Sequence, residues 1–211
     1  MFIRIGGIPG VGKSTVISKL LKAGISHNLP IDRIKGGDYL LKLAGVATYE
    51  ELRKLPEEYR SSLRPEMYRL MYEEDRQSPE IIRLRDAHFS LLDQESGETI
   101  IFPVFPEDKL QMVSMVTLTA DPTVILQRRL LDHNRPDRYL NLEIIKQEQE
   151  TEISTAIAQA KEINIPLSII DNSDDGLSVY KEFIGKAIPE GPIRNSLMEA
   201  IFGHKHGIER K

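Results

Sequence analysis

Gly7-Ile8-Pro9-Gly10-Val11-Gly12-Lys13-Ser14-Thr15 follows an apolar run, Phe2 to Gly6, and leads into an amphipathic one, Lys13 to Ala23. It satisfies G-x-x-x-x-G-K-[ST] at every position, in the strand–loop–helix setting that pattern needs. The glycines let the backbone curl so that successive N–H groups point inward at an anion. The N-terminus of the following helix adds its positive end. Gly7, Gly10, Val11 and Gly12 are therefore expected to cradle the phosphates of a nucleotide. Lys13 is expected to reach the β and γ phosphates, Ser14 to ligate Mg²⁺ and Thr15 to touch the α phosphate. The alternative is a glycine-rich turn that binds nothing, but average residue usage makes a chance match in a chain this long on the order of one percent.

Outward from this loop, strand-like and helix-like segments alternate, as in a parallel sheet covered by helices. Phe2 to Gly6, Ile31 to Lys35, Glu80 to Arg85, Val113 to Thr119 and Leu167 to Ile170 read as strands. Lys13 to Ala23 reads as a helix that Gly24 stops. Asp38 to Gln77 is helical in character, with turns at Gly45 and Pro56. Asp121-Pro122 caps a helix from Val124 to Asp132, and further helices span Leu142 to Ile163 and Leu177 to Ala187. Phe89 to Leu92 and Thr99 to Val104 flank a turn-like run and predict a hairpin. Pro189 to Pro192 marks a boundary, giving a core domain over 1–188 and an extension over 189–211. That extension holds a short helix, Ile193 to Phe202, and a basic tail.

The bulk numbers agree with one α/β domain and a modest appendage. The chain has 211 residues, 40% apolar and 28% charged, with a formal net charge of -4. That charge argues against a broad nucleic-acid face and leaves room for a small anionic partner held by a few placed arginines. Cysteine is absent, which excludes disulfides and thiolate metal ligands. No signal peptide and no run of 18 apolar residues is seen, so the expectation is a cytoplasmic protein without a membrane span. The oligomeric state stays open.

The phosphate loop alone does not choose among switch proteins, motors and kinases. Neither D-x-x-G nor N-K-x-D occurs in the chain, which removes the switch GTPases, and AAA-type motors usually need more chain. The compact kinase type remains. Asp38, just past the second strand, sits where ligands collect in open parallel sheets. It can bind the acceptor or order a magnesium water, cap the Tyr39 to Ala44 helix, or do both. Asp86, at the end of the third strand, can hold a Mg²⁺-bound water or serve as a turn residue. His88 can touch the acceptor or make a structural hydrogen bond. Arg128, Arg129, Arg135 and Arg138 cluster around a polar loop, where guanidinium forks can stabilise a transferring phosphoryl group. Routine ion pairs at a solvated helix end are the other reading, above all for Arg128.

At this point the chain resembles the archaeal-type adenylate kinases among the nucleoside monophosphate kinases. The strings that carry the likeness are GIPGVGKSTV from Gly7, GDYLLKLAG from Gly37, ELRKL from Glu51, RDAH from Arg85 and LTADPTVILQRR from Leu118. The resemblance implies a P-loop NTPase three-layer α/β sandwich with a five-stranded parallel sheet, a helical acceptor-binding insertion and a short lid. It implies transfer from ATP to a nucleoside monophosphate, AMP favoured. Arg135 and Arg138 would be catalytic lid arginines, Arg129 and Asn172 would lie on the nucleotide, and Asp38, His88 and Arg53 would serve the acceptor. One stretch departs from the family: His88 to Pro106 reads as a hairpin where a proline- and glycine-rich acceptor loop is expected. The alternatives are a kinase for a small hydroxyl compound and a slow, nucleotide-gated binding protein that docks a partner through Leu197, Ile201 and Phe202.

Overall fold

The computed structural model describes residues 1–93, 97–105, 107–132, 139–174 and 176–203. The first half of the chain forms β1 (Phe2–Gly6), α1 (Lys13–Ser26), β2 (Ile31–Lys35), α2 (Gly36–Ala44), α3 (Tyr49–Lys54), α4 (Glu57–Gln77) and β3 (Ile82–Asp86). There follow β4 (Ser90–Leu92), β5 (Thr99–Ile101), α5 (Asp108–Gln111), β6 (Met112–Thr119), α6 (Pro122–Leu131) and α7 (Leu142–Ile163). The last elements are β7 (Leu167–Asp171), α8 (Ser178–Ala187) and α9 (Pro192–Phe202).

Strands β2-β3-β1-β6-β7 form one parallel sheet in that order. β1 sits at its centre and is buried throughout. Side chains alternate across a strand, and the two faces of β1 meet different partners. Ile3 and Ile5 join Leu20, Leu84, Val116 and Phe183 on the face covered by α1 and α8. Phe2 joins Tyr72, Met115 and Ala156 on the face covered by α4 and α7. Each fully buried side chain of this kind contributes about 1.5–3 kcal/mol. The second face also buries Arg83 and Arg85. Arg85 is tied to Asp75 of α4, and Arg83 lies 3.4 Å from the same carboxylate.

The central placement of β1 aims its C-terminal end, and the loop after it, at the edge of the sheet where ligands collect in such folds. The expected hairpin is present, with Ser90 opposite Ile101 and Leu92 opposite Thr99. Three departures from expectation have a local physical reason. Helix α1 continues through Gly24 to Ser26, because that glycine serves packing: a Cβ there would fall 2.1 Å from Ile31 Cγ2. Helix α2 starts at Gly36 and puts Asp38 in its first turn, with Lys35 at the N-cap, so Asp38 is not the cap. Helix α5 was not foreseen, since four residues are too few to show a period; its Asp108 is buried and accepts from the Phe105 amide at 2.8 Å.

Helix α9 begins with Pro192 at its first turn. Its Leu197 is fully buried, and Ile193, Met198, Ile201 and Phe202 lie against the main core. The apolar side offered above as a partner surface thus packs on its own fold. Among the described residues, no helix is long and apolar enough to cross a membrane.

Candidate active site

The loop from Gly7 to Thr15 takes a shape that only glycines accept cheaply. Gly12 has φ 97°, and a Cβ there would meet Asn172 Nδ2 at 2.4 Å. Gly7 has φ 132°, and its Cβ would fall 2.6 Å from the Leu118 carbonyl. The loop is braced from several elements. Asn172, after β7, donates from Nδ2 to the Val11 carbonyl at 2.8 Å. Arg129 of α6 donates from Nε to the Pro9 carbonyl at 2.9 Å. Glu152 of α7 accepts from the Gly7 amide at 2.6 Å. Lys13, almost buried, turns its ammonium to the Gly7 carbonyl.

Helix α1 opens on this loop without a side-chain cap, and the first turn of any helix offers amides that have no intrahelical acceptor. Above the loop lies a cavity of about 820 Å³, lined among others by Gly12, Lys13, Ser14, Thr15, Arg128 and Asn172. Its shape, amide supply and buried ammonium suit a polyphosphate.

A second cavity, of about 260 Å³, adjoins the first, and Gly37, Asp86 and His88 line both. It lies between α2, α4 and the hairpin. Leu40, Met67 and Ile100 give it apolar wall, whereas Arg4, Arg60, Arg64 and Arg85 give it positive charge and Glu57, Asp86, Asp93 and Asp108 negative charge. Arg60 and Arg64 both pair with Glu57, at 3.0 Å and 2.5 Å. The Arg64 guanidinium also stands 5.3 Å from the centroid of the Phe102 ring. Arg4 reaches the same cavity from β1. It donates to the carbonyls of His88 and Phe102 at 3.0 Å, and burial lowers its pKa from the ordinary arginine value.

The expected site residues separate into groups. Gly7, Gly10, Gly12, Lys13, Ser14, Thr15 and Asn172 come together around the first cavity or its loop, with Val11 supplying the carbonyl that Asn172 holds. Asp86 and His88 stand on the wall common to both cavities. Asp86 is also bound to Arg33 of β2, Nη2 to Oδ2 at 2.5 Å, while among the described residues its Oδ1 accepts no hydrogen bond.

Asp38 and Arg53 line neither cavity. Asp38 accepts a hydrogen bond from Tyr49 and so ties α2 to α3. Burial, then that bond, raises the Tyr49 phenol above its ordinary value. Arg53 is on the exposed side of α3. Arg129, expected on the nucleotide, is 3% exposed and spent on the protein: it binds Glu148 at 2.7 Å and the Tyr139 carbonyl at 2.9 Å besides Pro9. Its neighbour Arg128 takes the cavity position instead, reaching the Val11 carbonyl at 3.3 Å. Arg135 and Arg138 lie outside the described residues.

Sequence reasoning missed Arg60, Arg64 and Glu152. For the two arginines a signal existed, since residues four apart on a helix share a face. For Glu152 there was none: it sits among the polar residues of a long helix and reads as solvated.

Comparison with known proteins agrees with this geometry. The family described as an AAA domain matches residues 6–146, a stretch from the end of β1 into α7 that is far smaller than the motors set aside on length. The chain is 30% identical over 173 residues to the adenylate kinase of Sulfurisphaera tokodaii, covering 80% of this chain and 89% of that one. It is 31% identical over 175 residues to the adenylate kinase of Pyrococcus abyssi, covering 81% and 86%. In fold it is similar to the shikimate kinase of Bacteroides thetaiotaomicron, with a TM-score of 0.52 at 14% identity over 94% of this chain and 97% of that one. A complete phosphate loop, the parallel sheet behind it and relatives that span most of the molecule lead to one conclusion: the chain belongs to the archaeal-type adenylate kinase family of P-loop phosphotransferases.

Proposed function

We propose that the chain transfers the γ-phosphoryl group of MgATP to a nucleoside monophosphate, with AMP the favoured acceptor. The observation that carries this reading is the meeting of the two cavities at Gly37, Asp86 and His88, with the phosphate loop on one side and Arg60 and Arg64 on the other. Paired guanidinium groups suit a doubly charged monophosphate better than a neutral hydroxyl compound.

The polypeptide's part is positioning and charge stabilisation. The loop amides and Lys13 hold the β and γ phosphates, and Arg128 adds charge at the cavity wall. Arg60 and Arg64 would exchange part of their pairing with Glu57 for the acceptor phosphate. An acceptor oxygen then attacks the γ-phosphorus in line with the leaving oxygen of ADP. Arg135 and Arg138 complete the reading as arginines that close over the transferring group. Ser14 Oγ and the Asp86 carboxylate, both on the first cavity, would hold Mg²⁺, which neutralises phosphate charge when bound.

A monophosphate acceptor is already ionised and needs no base. Both carboxylates that could serve a hydroxyl acceptor have other duties: Asp86 is bound to Arg33, and Asp38 is held by Tyr49 away from the cavities. This supports the monophosphate.

The test is a coupled assay of ADP formation from MgATP against a panel of nucleoside monophosphates, nucleosides and small hydroxy acids. The reading expects AMP or another monophosphate to stimulate turnover well above the acceptor-free rate. Stimulation by a hydroxyl compound alone would overturn it.

A further inference from the structure

Two backbone segments that the transfer must keep in register are joined by one buried side chain that touches neither ligand cavity. Glu152 projects from α7 and is 1% exposed. Its Oε1 accepts from the Gly7 amide at 2.6 Å and from the Phe89 amide at 3.1 Å. Its Oε2 accepts from the Phe89 amide at 3.1 Å, the Ser90 amide at 2.5 Å and the Ser90 hydroxyl at 3.0 Å. Gly7 opens the phosphate loop. Phe89 and Ser90 follow directly on His88 and lead into the hairpin that walls the second cavity.

The fit around the carboxylate is close. A Cβ on Gly6 would fall 2.2 Å from the Phe89 ring and 2.8 Å from Glu152 Oε1, so the end of β1 is pressed against both groups. A buried carboxylate is costly unless its oxygens are satisfied. Here three amides and a hydroxyl converge on it. Because a carboxylate only accepts, neither segment can shift without stranding donors.

We propose that Glu152 is a positioning residue of the phosphoryl transfer, holding the first amide of the phosphate loop and the entry to the acceptor hairpin in one register. This rests on the transfer reading above. Nucleotide that orders the loop thereby orders the segment beside the acceptor. Glutamine has nearly the same size, but its NH₂ must face either the Gly7 N–H or the Ser90 N–H, and a donor against a donor breaks one side of the bridge.

The test follows hydrogen–deuterium exchange in the full chain, with and without the magnesium complex of β,γ-imido ATP. In the wild type, nucleotide slows exchange both in the phosphate loop and in residues 89–92. In Glu152→Gln the loop response persists and the response of 89–92 is lost. In steady state the same variant loses roughly tenfold in kcat, with its KM for MgATP little changed. Ser90→Ala removes one bond and keeps three amides, so it weakens the 89–92 response and serves if the glutamine variant does not fold. An equal response of 89–92 in wild type and variant, or none in the wild type, overturns the proposal. Exchange needs no acceptor, so a failed acceptor panel would count against the transfer reading and not against this bridge.

Discussion

Arg33 and Asp86 are joined across neighbouring strands at 2.5 Å, and Asp86 stands on the wall where the two cavities meet. The pair commits one carboxylate oxygen to Arg33. Asp86→Asn keeps an acceptor for Arg33 but loses the charge. Steady-state kinetics should show kcat lower by about 100-fold, within the range for losing an orienting group in a transfer site. Arg33→Gln should stay within a few-fold of wild type, because the arginine is partly solvated and such pairs contribute little. Equal losses in both variants would mean that the pair only supports the fold.

Arg60 and Arg64 face the second cavity one helical turn apart. Replacing either by Ala removes a charge-assisted contact to an anionic acceptor, worth about 1.5–3 kcal/mol. The acceptor's kcat/KM should fall roughly 10- to 150-fold, while the KM for MgATP changes little. Initial rates with each substrate varied in turn decide this. A KM effect confined to MgATP would move these arginines out of the acceptor site.

Arg129 and Arg128 are adjacent in sequence and opposite in duty. Arg129 and Glu148 are 1% and 6% exposed at the side chain, and breaking a buried pair costs about 3–5 kcal/mol. Denaturant unfolding of Arg129→Ala should show a loss of that size. Arg128→Ala should unfold like wild type and bind MgATP more weakly. The reverse pattern would restore Arg129 as the nucleotide ligand.

Tyr72 donates to the buried Asp108 at 2.6 Å, and burial followed by that bond raises its phenol above 10.0. Above that pH the unfolded chain gives up the proton while the folded chain retains it. The stabilisation is therefore complete below about pH 10 and is lost as pH rises, at about 1.4 kcal/mol per pH unit. Unfolding midpoints between pH 8 and 11 should decline less steeply in Tyr72→Phe than in wild type. Tyr39 and Tyr49 are raised as well, so some decline persists in the variant. Parallel slopes would contradict this account.

Much of this molecule was legible before its structure. The phosphate loop, the alternation of strands and helices, and the hairpin after His88 were all read from local pattern, because each depends on nearby residues. What escaped reading depends on distant ones. Gly24 imitates a helix stop but makes room for Ile31. Arg128 and Arg129 carry the same charge, and only the placement of Glu148 and Tyr139 decides which faces inward. Glu152 acquires its meaning from amides 62 to 145 residues away. Asp38 was expected at the site because it follows the second strand, yet its side chain lines neither cavity. The second cavity draws instead on Leu40 of the same helix, on Arg60 and Arg64 of α4 and on the hairpin, which only the tertiary fold brings together.

Calorimetric titration with MgATP tests the central claim most directly, run on the wild type and on Lys13→Ala. The account predicts one saturable site in the wild type, in roughly the 1 μM to 1 mM range usual for enzyme substrates. It predicts binding at least about tenfold weaker in the variant, from the loss of a charged contact to phosphate. Absence of heat from the wild type at millimolar MgATP, or unchanged affinity in Lys13→Ala, would contradict it.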